Sequence, residues 1–175
     1  MNIIIEAARL AAKAHAGQTR QNGEPYHNHL HRVAFEVMLL EDSTEDMIVA
    51  AYLHDILEDT KVTEAALRHR FGDSITNLVV ELTNCYSHQQ HPEMDRETRK
   101  NHELQRLLKT STRAQKIKLL DRIDNLSGGP FLDDDATDYR TYYLPESEKM
   151  AQELGQVDPK LQDRLVTAIQ KLRMI

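Results

Sequence analysis

Four ionisable side chains follow directly on an apolar run, and this juxtaposition constrains the fold more than any other feature of the chain. The run covers residues 47–53 and continues into His54, Asp55, Glu58 and Asp59. A stretch of this composition predicts a helix that is buried nearly all round. Carboxylates are rarely buried without a neutralising partner, because removing a charge from water is costly. The segment therefore predicts a bound divalent cation.

The spacing of the four groups favours such a site if the helix continues to residue 58. His54 and Glu58 are four residues apart and would share one helix face, while Asp55 and Asp59 would share the adjacent face. His54 and Asp55 are then candidate metal ligands. Glu58 and Asp59 are candidate acids that act on water or on a leaving group, although taken alone they are better explained as solvated acids at a helix end.

Two other segments offer the further ligands that a metal site needs. Asp121 lies inside an apolar helical pattern with Asn125 four residues later, whereas Asp124 is better explained as a solvated residue. Residues 27–31 hold three histidines at alternate positions, and we prefer His29, at the start of a helix. The remaining histidines are interpreted as surface, loop or supporting residues: His15, His27, His31, His69, His88, His91 and His102.

Composition limits the classes of protein to which the chain can belong. Its 175 residues suffice for one domain with a sizeable core, which we place over residues 1–175. The net charge of −6 argues against nucleic-acid or anionic-membrane binding, but it leaves room for a phosphorylated small molecule. A single cysteine, no membrane-length apolar run and no signal-peptide pattern predict a cytoplasmic protein.

Helical periodicity dominates the chain, and no segment alternates as a strand does. The fold class is therefore predicted to be all-α, with loops at 16–28 and 85–95 and an irregular region at 128–135. The predicted helices cover residues 2–15, 29–40, 44–58, 63–71, 73–84, 96–109, 113–126, 136–154 and 159–173.

These segments resemble the HD superfamily of metal-dependent phosphohydrolases, and most closely the hydrolase domain of RelA/SpoT proteins in its stand-alone form, the small alarmone hydrolases. The pair Glu58-Asp59 after His54-Asp55 is the specific part of the resemblance. Four blocks carry it in order: HAGQTR at 15–20 with GEPY at 23–26 and His29; AYLHDILEDT at 51–60; residues 71–72, 78–79 and 82–83; and KLLDR at 118–122 with Asn125.

The resemblance implies a single HD-type helical domain that holds one Mn²⁺. It also implies hydrolysis of the 3′-diphosphate of (p)ppGpp to the 5′-nucleotide and pyrophosphate. Glu58 and Asp59 would be the catalytic acids. Arg20, Asn22 and Asn125 would contact the nucleotide substrate. The implied metal ligands are His29, His54, Asp55 and Asp121.

The chain departs from this family pattern at several positions near the nucleotide. Gln21 stands where the family usually has Lys, Leu30 where it has Pro, and Ser127-Gly128 where it often has Arg and Thr. Asn22 carries both a donor and an acceptor, so it suits adenine as well as guanine. Three alternatives therefore stay open: (p)ppApp as substrate, another nucleotide such as NADPH at its 2′-phosphate or a deoxynucleoside monophosphate, and a binding module without turnover. The sequence does not indicate an oligomeric state.

Overall fold

Helices form almost all regular structure in residues 2–128 and 139–174, the part of the chain that the computed structural model describes. The only extended pairing within it is an isolated bridge between Thr19 and Pro25. The all-α prediction is thus confirmed. The helices are α1 (Ile3–Ala14), α2 (Tyr26–Met38), α3 (Glu45–Tyr52), α4 (Ile56–Asp59), α5 (Glu64–Leu82), α6 (Arg96–Leu107), α7 (Thr112–Ser127), α8 (Leu144–Leu154) and α9 (Pro159–Arg173).

Helix α3 is the centre of the packing. Every residue from 47 to 51 is buried, and the helix contacts α1, α2, α5 and α7. Its start is fixed by Thr44, whose hydroxyl oxygen accepts a hydrogen bond from the Met47 amide at 3.3 Å. The predicted buried helix is therefore present, and it positions whatever follows it against the core.

Helix α3 ends at Tyr52, so the prediction of a helix continuing to residue 58 is wrong. The backbone ψ angle is 6° at Leu53 and 2° at Asp55, which is not helical. The His54 side chain supplies the reason, because its Nδ1 lies 2.8 Å from the Ala51 carbonyl that would otherwise accept the next helical bond. His54 and Asp55 therefore lie on a tight turn, and Glu58 and Asp59 lie on the short helix α4.

Glycine and proline set the other boundaries near this centre. Gly72 has φ 78° and divides α5 into two segments, as the predicted boundary between residues 71 and 73 requires. Pro25 precedes α2, which begins at Tyr26 and not near His29, so His29 lies one turn inside the helix.

Two predicted features extend beyond the described residues. The irregular region predicted at 128–135 lies outside them from residue 129 onward, and so do the first three residues of the helix predicted at 136–154. The described continuation is a π-helical segment, Tyr139–Tyr143, that leads into α8. No helix among the described residues combines the length and the apolar character needed to cross a membrane.

Candidate metal centre and active site

Two histidines from different parts of the fold face each other beneath the surface. His29 comes from α2 and His54 from the turn after α3; their side chains are 1% and 0% exposed. Their Nε2 atoms lie 3.3 Å apart. Two ring nitrogens at this separation share a proton or a cation.

The partners of the opposite ring nitrogens decide which atoms carry protons. The Nδ1 of His54 lies 2.8 Å from the Ala51 carbonyl, and the Nδ1 of His29 lies 2.7 Å from a carboxylate oxygen of Asp124. Both partners only accept hydrogen bonds, so each Nδ1 donates and each neutral ring keeps its lone pair on Nε2. Two lone pairs aimed at one point suit a metal ion, and carbonyl and carboxylate partners are usual behind metal-ligating histidines.

Two carboxylates complete the donor set. Asp55 Oδ2 lies 2.9 Å from His54 Nε2, and Asp121 Oδ1 lies 3.2 Å from His29 Nε2 and 3.6 Å from His54 Nε2. Within the described ranges, one group of three potential ligands has all its ligand atoms within 4.8 Å of one another, namely His29, His54 and Asp55. The structure thus brings together the four residues predicted as ligands, and the donor set of two imidazoles and two carboxylates fits a divalent transition metal.

The charges in this cluster favour a bound cation. Burial alone would lower the pKa of His54, but Asp55 and Asp121 outweigh it and raise that pKa to about 10. Burial opposes the same shift at His29, whose pKa is nevertheless raised by its bonds to Asp121 and Asp124. Burial opposes ionisation of Asp55, but His54 and the charge of Lys118 hold its pKa below the usual range. A metal ion would take the place of these protons.

Further side chains hold the two carboxylates. The Tyr26 hydroxyl donates to Asp55 Oδ2 at 2.5 Å. On α7, the Asn125 amide donates to Asp121 Oδ1 at 2.7 Å, and the Lys118 ammonium donates to Asp121 Oδ2 at 3.4 Å. Ligand candidates with fixed rotamers form a preorganised site, which raises metal affinity.

Asp124 is not the solvated residue that its sequence position suggested. Its side chain is 9% exposed and accepts hydrogen bonds from His29, Arg20 and Arg32. Burial opposes ionisation, but the bonds from His29 and Arg32 lower the pKa of Asp124 to about 2. The prediction of a solvated Asp124 is wrong because on α7 this residue lies one turn after Asp121 and reaches partners that are distant in sequence.

Glu58 and Asp59 lie on α4 at the edge of the metal cluster. The backbone N–H of Asn84 donates to Glu58 Oε1 at 2.7 Å and fixes that carboxylate. Glu58 is exposed as a whole residue, but partial desolvation of its carboxyl raises its pKa to about 7, against the opposing charge of Lys118. Burial and the charge of Asp55 raise the pKa of Asp59 as well. The raised pKa of Glu58 suits that carboxyl to proton transfer near neutral pH, and the pKa of Asp59 is shifted in the same direction.

A cavity of about 150 Å³ opens beside Asp121 and Glu58. Its wall also carries Glu103 and Glu146, but their carboxylates are paired with Arg106 and Arg96 respectively, at 2.6 and 2.8 Å. The wall also carries four cations, and their positive charge is thus opposed mainly by the carboxylates of Asp121 and Glu58. The cations come from α6, α7 and α8 and are Lys100, Lys118, Arg122 and Lys149.

The three predicted substrate-binding residues have different surroundings. Arg20 is 6% exposed on its side chain and donates to Asp124 at 2.8 Å and to Asn125 at 3.0 Å. Asn125 also lines the cavity. Asn22 is exposed in the 16–25 loop, and its Oδ1 accepts the Glu24 amide at 3.0 Å. Contact with a nucleotide stays a prediction for all three.

Within the described residues no other histidine belongs to the metal cluster, although His15 stacks on Tyr26, which bonds Asp55. His27 and His31 pack edge to face on α2, and His31 Nδ1 lies 3.2 Å from the Tyr52 hydroxyl. His91 stacks on Tyr86 in the predicted 85–95 loop. His15 is buried and bonds Gln18 at 2.7 Å, as its position at the end of the first helix indicated.

Sequence reasoning missed three supporting residues, Tyr26, Asp124 and Lys118. The α7 pair had a usable signal, since Lys118 and Asp124 lie three residues before and after Asp121 and so share its helix face. Tyr26 had no such signal, because its contact with Asp55 joins residues 29 positions apart.

Known proteins are similar to this chain over the segments that contain the candidate site. The family described as "HD domain" matches residues 7–137. A probable guanosine-3′,5′-bis(diphosphate) 3′-pyrophosphohydrolase of Mycoplasma pneumoniae is 34% identical over 136 residues, which are 74% of this chain but 18% of that protein. The guanosine-3′,5′-bis(diphosphate) 3′-pyrophosphohydrolase MESH1 of Xenopus tropicalis is 35% identical over 128 residues, 71% of this chain and 68% of MESH1.

A solved structure is similar to a larger part of this chain than these two relatives are. It is that of a metazoan ortholog of SpoT, described as hydrolysing ppGpp and as playing a role in starvation responses. The similarity has a TM-score of 0.78 at 25% identity and covers 98% of this chain and 96% of that protein.

Proposed function

This chain belongs to the HD-domain family, in the branch that includes MESH1, and from that premise we propose that it is a metal-dependent hydrolase of nucleoside 3′-diphosphates. The substrates are (p)ppGpp, (p)ppApp or both. The products are the 5′-nucleotide and pyrophosphate. One observation carries the proposal: the cluster of two histidines and two aspartates opens beside Glu58 onto a cavity with four cations on its wall.

The metal in this proposal is Mn²⁺, held by four side chains. A divalent cation there supplies Lewis-acid catalysis and an activated nucleophile at neutral pH. The protein's own part is to keep the donors ready, with protons on the Nδ1 atoms of both rings and lone pairs on the Nε2 atoms. The ligands would be His29, His54, Asp55 and Asp121.

The reaction needs one proton acceptor and one proton donor. Water attacks the phosphorus bonded to the ribose 3′-oxygen, the P–O bond to that oxygen breaks, and the departing oxygen takes up a proton. Glu58 has a raised pKa, of about 7, and a carboxylate oriented by the backbone N–H of Asn84. Asp59 is its neighbour on α4, also with a raised pKa. We assign the two proton transfers to this pair without dividing them between its members.

The cations on the cavity wall suit a polyanionic substrate. Lys118 lies at the boundary between the metal cluster and the cavity, and its charge already interacts with Asp121, Asp55 and Glu58. Lys100 and Lys149 lie on the opposite helices α6 and α8. A diphosphate next to the metal would be stabilised by these charges, because charge-assisted hydrogen bonds are the strong ones.

The 16–25 loop offers little to hold 5′-phosphates. Its one cationic residue, Arg20, already donates to Asp124 and Asn125. Gln21 and Asn22 are exposed and uncharged. These observations support a substrate choice that depends little on the number of 5′-phosphates, and they are the reason for testing adenosine analogues and NADPH as well.

A comparative assay with Mn²⁺ tests the proposal. Purified protein is incubated with ppGpp, ppApp, NADPH or dAMP, and the products are resolved by chromatography. We expect pyrophosphate from ppGpp, ppApp or both. Release of inorganic phosphate from NADPH or dAMP alone would replace the proposal with hydrolysis of another phosphomonoester. No product from any of the four would contradict enzymatic function on these nucleotides.

A further inference from the structure

We propose that Asp124 is a positioning residue that couples occupancy of the metal site to the order of the 16–25 loop. The inference rests on the proposed metal centre and adds a role that the reaction itself does not require. Asp124 uses both carboxylate oxygens, and its three partners come from two different parts of the fold. One partner is a candidate metal ligand, and the other two are arginines that hold the loop.

The first connection runs from Asp124 to the metal cluster. Its Oδ2 accepts from His29 Nδ1 at 2.7 Å, in a pair whose side chains are 1% and 9% exposed. This bond fixes the ring orientation of His29 and leaves the Nε2 lone pair directed at the site. Losing the carboxylate would free the ring to turn and would also free it to exchange tautomers.

The second connection runs from Asp124 to the loop. Arg20 Nη1 donates to Asp124 Oδ2 at 2.8 Å, while the Arg20 backbone amide bonds the Glu24 carbonyl at 2.8 Å. Arg32 donates to Asp124 at 2.6 Å and to the Glu24 carboxylate at 2.5 Å. Both ends of the turn formed by residues 20–24 are therefore connected to the Asp124 carboxylate. Arg20 contacts it directly, and Glu24 is connected through Arg32.

A parallel path leads from the same loop to a second candidate ligand. Arg20 Nη2 donates to Asn125 Oδ1 at 3.0 Å, and Asn125 Nδ2 donates to Asp121 Oδ1 at 2.7 Å. Arg20 is thus one residue removed from His29 through Asp124, and one residue removed from Asp121 through Asn125. Ordering the ligands for a metal orders Arg20, and an ordered Arg20 holds the loop.

A purely structural role for Asp124 predicts a different behaviour. If Asp124 only neutralised the charges of Arg20 and Arg32, its loss would loosen the loop and leave metal affinity unchanged. Coupling is reciprocal, so a metal that tightens the loop must bind less tightly when the connection is removed. Metal affinity therefore tests for a purely structural role, and the effect of the metal on exchange of the loop amides tests the coupling; both are measured without any nucleotide.

The experiment compares the full-length wild-type protein with Asp124→Asn, using Mn²⁺ alone as the probe. Titration calorimetry gives the Mn²⁺ dissociation constant, and hydrogen exchange reports the loop amides with and without Mn²⁺. We expect Asp124→Asn to weaken Mn²⁺ binding about 10- to 100-fold. We also expect Mn²⁺ to slow exchange at the Arg20 and Gly23 amides in the wild type and to lose that effect in the variant.

Two further variants keep the proposal testable. Glu81→Gln removes a structural carboxylate that accepts from Ser111 on the far end of α7, and it should bind Mn²⁺ as the wild type does. If Asp124→Asn does not fold, Arg20→Gln tests the same coupling, because Asp124 keeps Arg32 and His29 as partners; it should weaken Mn²⁺ binding in the same direction but less.

The outcomes distinguish this inference from the proposed function. Folded Asp124→Asn, or Arg20→Gln in its place, with Mn²⁺ affinity equal to the wild type would overturn the coupling and leave the metal centre standing. A wild-type protein that binds no Mn²⁺ would overturn the metal centre, and the coupling with it. Weakened binding that appears equally in Glu81→Gln would also overturn the specific role of Asp124.

Discussion

The two sides of the candidate site differ in charge, in burial and in what holds their side chains. The metal side is acidic and nearly closed to water: His29 and His54 are at most 1% exposed, and Asp55 and Asp121 are each 13% exposed. The cavity side is basic and open, with cations that come from three helices. On the metal side the imidazoles and carboxylates bond one another and the side chains behind them, whereas on the cavity side the charge of four cations is opposed mainly by Asp121 and Glu58.

This difference separates two tasks that one active site must perform. A cation needs a fixed set of donors, so hydrogen bonds behind the ligands fix their rotamers. A substrate must enter and leave, so the groups that attract it stay near solvent. Glu58 lies where the two sides meet, since it lines the cavity and belongs to the helix that follows the metal turn. Variants on each side should therefore change different measured quantities.

The largest effect is expected on the metal side. Asp55→Asn keeps the shape of a candidate ligand but removes its charge, so Mn²⁺ should bind poorly and turnover should fall by about 10⁴-fold, since metal catalysis supplies several kcal/mol. Metal content after gel filtration and product formation measure the two changes. The control Asp73→Asn, on an 82% exposed side chain, should retain both. Full metal content with full activity in Asp55→Asn would remove the distinction between the sides.

A smaller loss, confined to turnover, is expected at the boundary. The double variant Glu58→Gln and Asp59→Asn removes both candidate acids while leaving all four candidate ligands in place. Turnover should fall about 10²- to 10⁴-fold, the usual contribution of acid–base catalysis, and Mn²⁺ binding should be retained. Equilibrium Mn²⁺ titration beside a rate measurement separates the two. A double variant with wild-type turnover is incompatible with the assignment of these acids.

On the cavity side the expected change is in substrate binding. Lys100→Gln removes a cation whose pKa is lowered by burial at the wall. KM for the nucleotide should rise about 10-fold while kcat stays within about twofold, because a charged hydrogen bond to phosphate is worth about 1.5–3 kcal/mol before solvent exposure reduces it. The matched control is Lys13→Gln on the exposed face of α1. A loss of kcat with unchanged KM would assign Lys100 to the metal side.

The sequence specified the metal side better than the cavity side, for a physical reason. His54 and Asp55 followed a buried helix, so their charges required a partner on other segments. Asp121 and the histidines at residues 27–31 were the candidates, and the family resemblance selected His29 among the three histidines. The cavity cations lie on three helices with ordinary charged surfaces, and no local pattern distinguishes Lys100 or Lys149 from a solvated lysine. Only the fold brings residues of α6, α7 and α8 to the wall of one cavity.

Local geometry was predicted less well than residue identity. The helix over 44–58 was expected to be continuous, because periodicity detects an apolar face and not a turn. The break at residues 53–55 depends on a side-chain bond from His54 to the Ala51 carbonyl, which competes with the helical bond. The burial of Asp124 was not predicted for a related reason, since its partners Arg20, Arg32 and His29 are distant in sequence.

The smallest predicted effect is on the free energy of unfolding at different pH values, and it has opposite signs for substitutions of Glu58 and of Asp55. In metal-free protein the pKa of Glu58 is about 7, above its unfolded value of 4.5, so the folded state loses stability as the pH rises through that window. Glu58→Gln should therefore raise the free energy of unfolding at pH 8, by about 1 kcal/mol because partial exposure reduces the effect. The gain should vanish by pH 4.

Asp55 supplies the opposite case on the metal side. Its pKa is held below the unfolded value, so its charge stabilises the fold above that unfolded value and the contribution is lost as the pH falls. Asp55→Asn should lower the free energy of unfolding at pH 8 under the same metal-free conditions. Urea denaturation with EDTA at several pH values measures both variants. If the two substitutions changed stability in the same direction at pH 8, Glu58 would share the electrostatics of the metal side, and the boundary between the sides would have to be moved past α4.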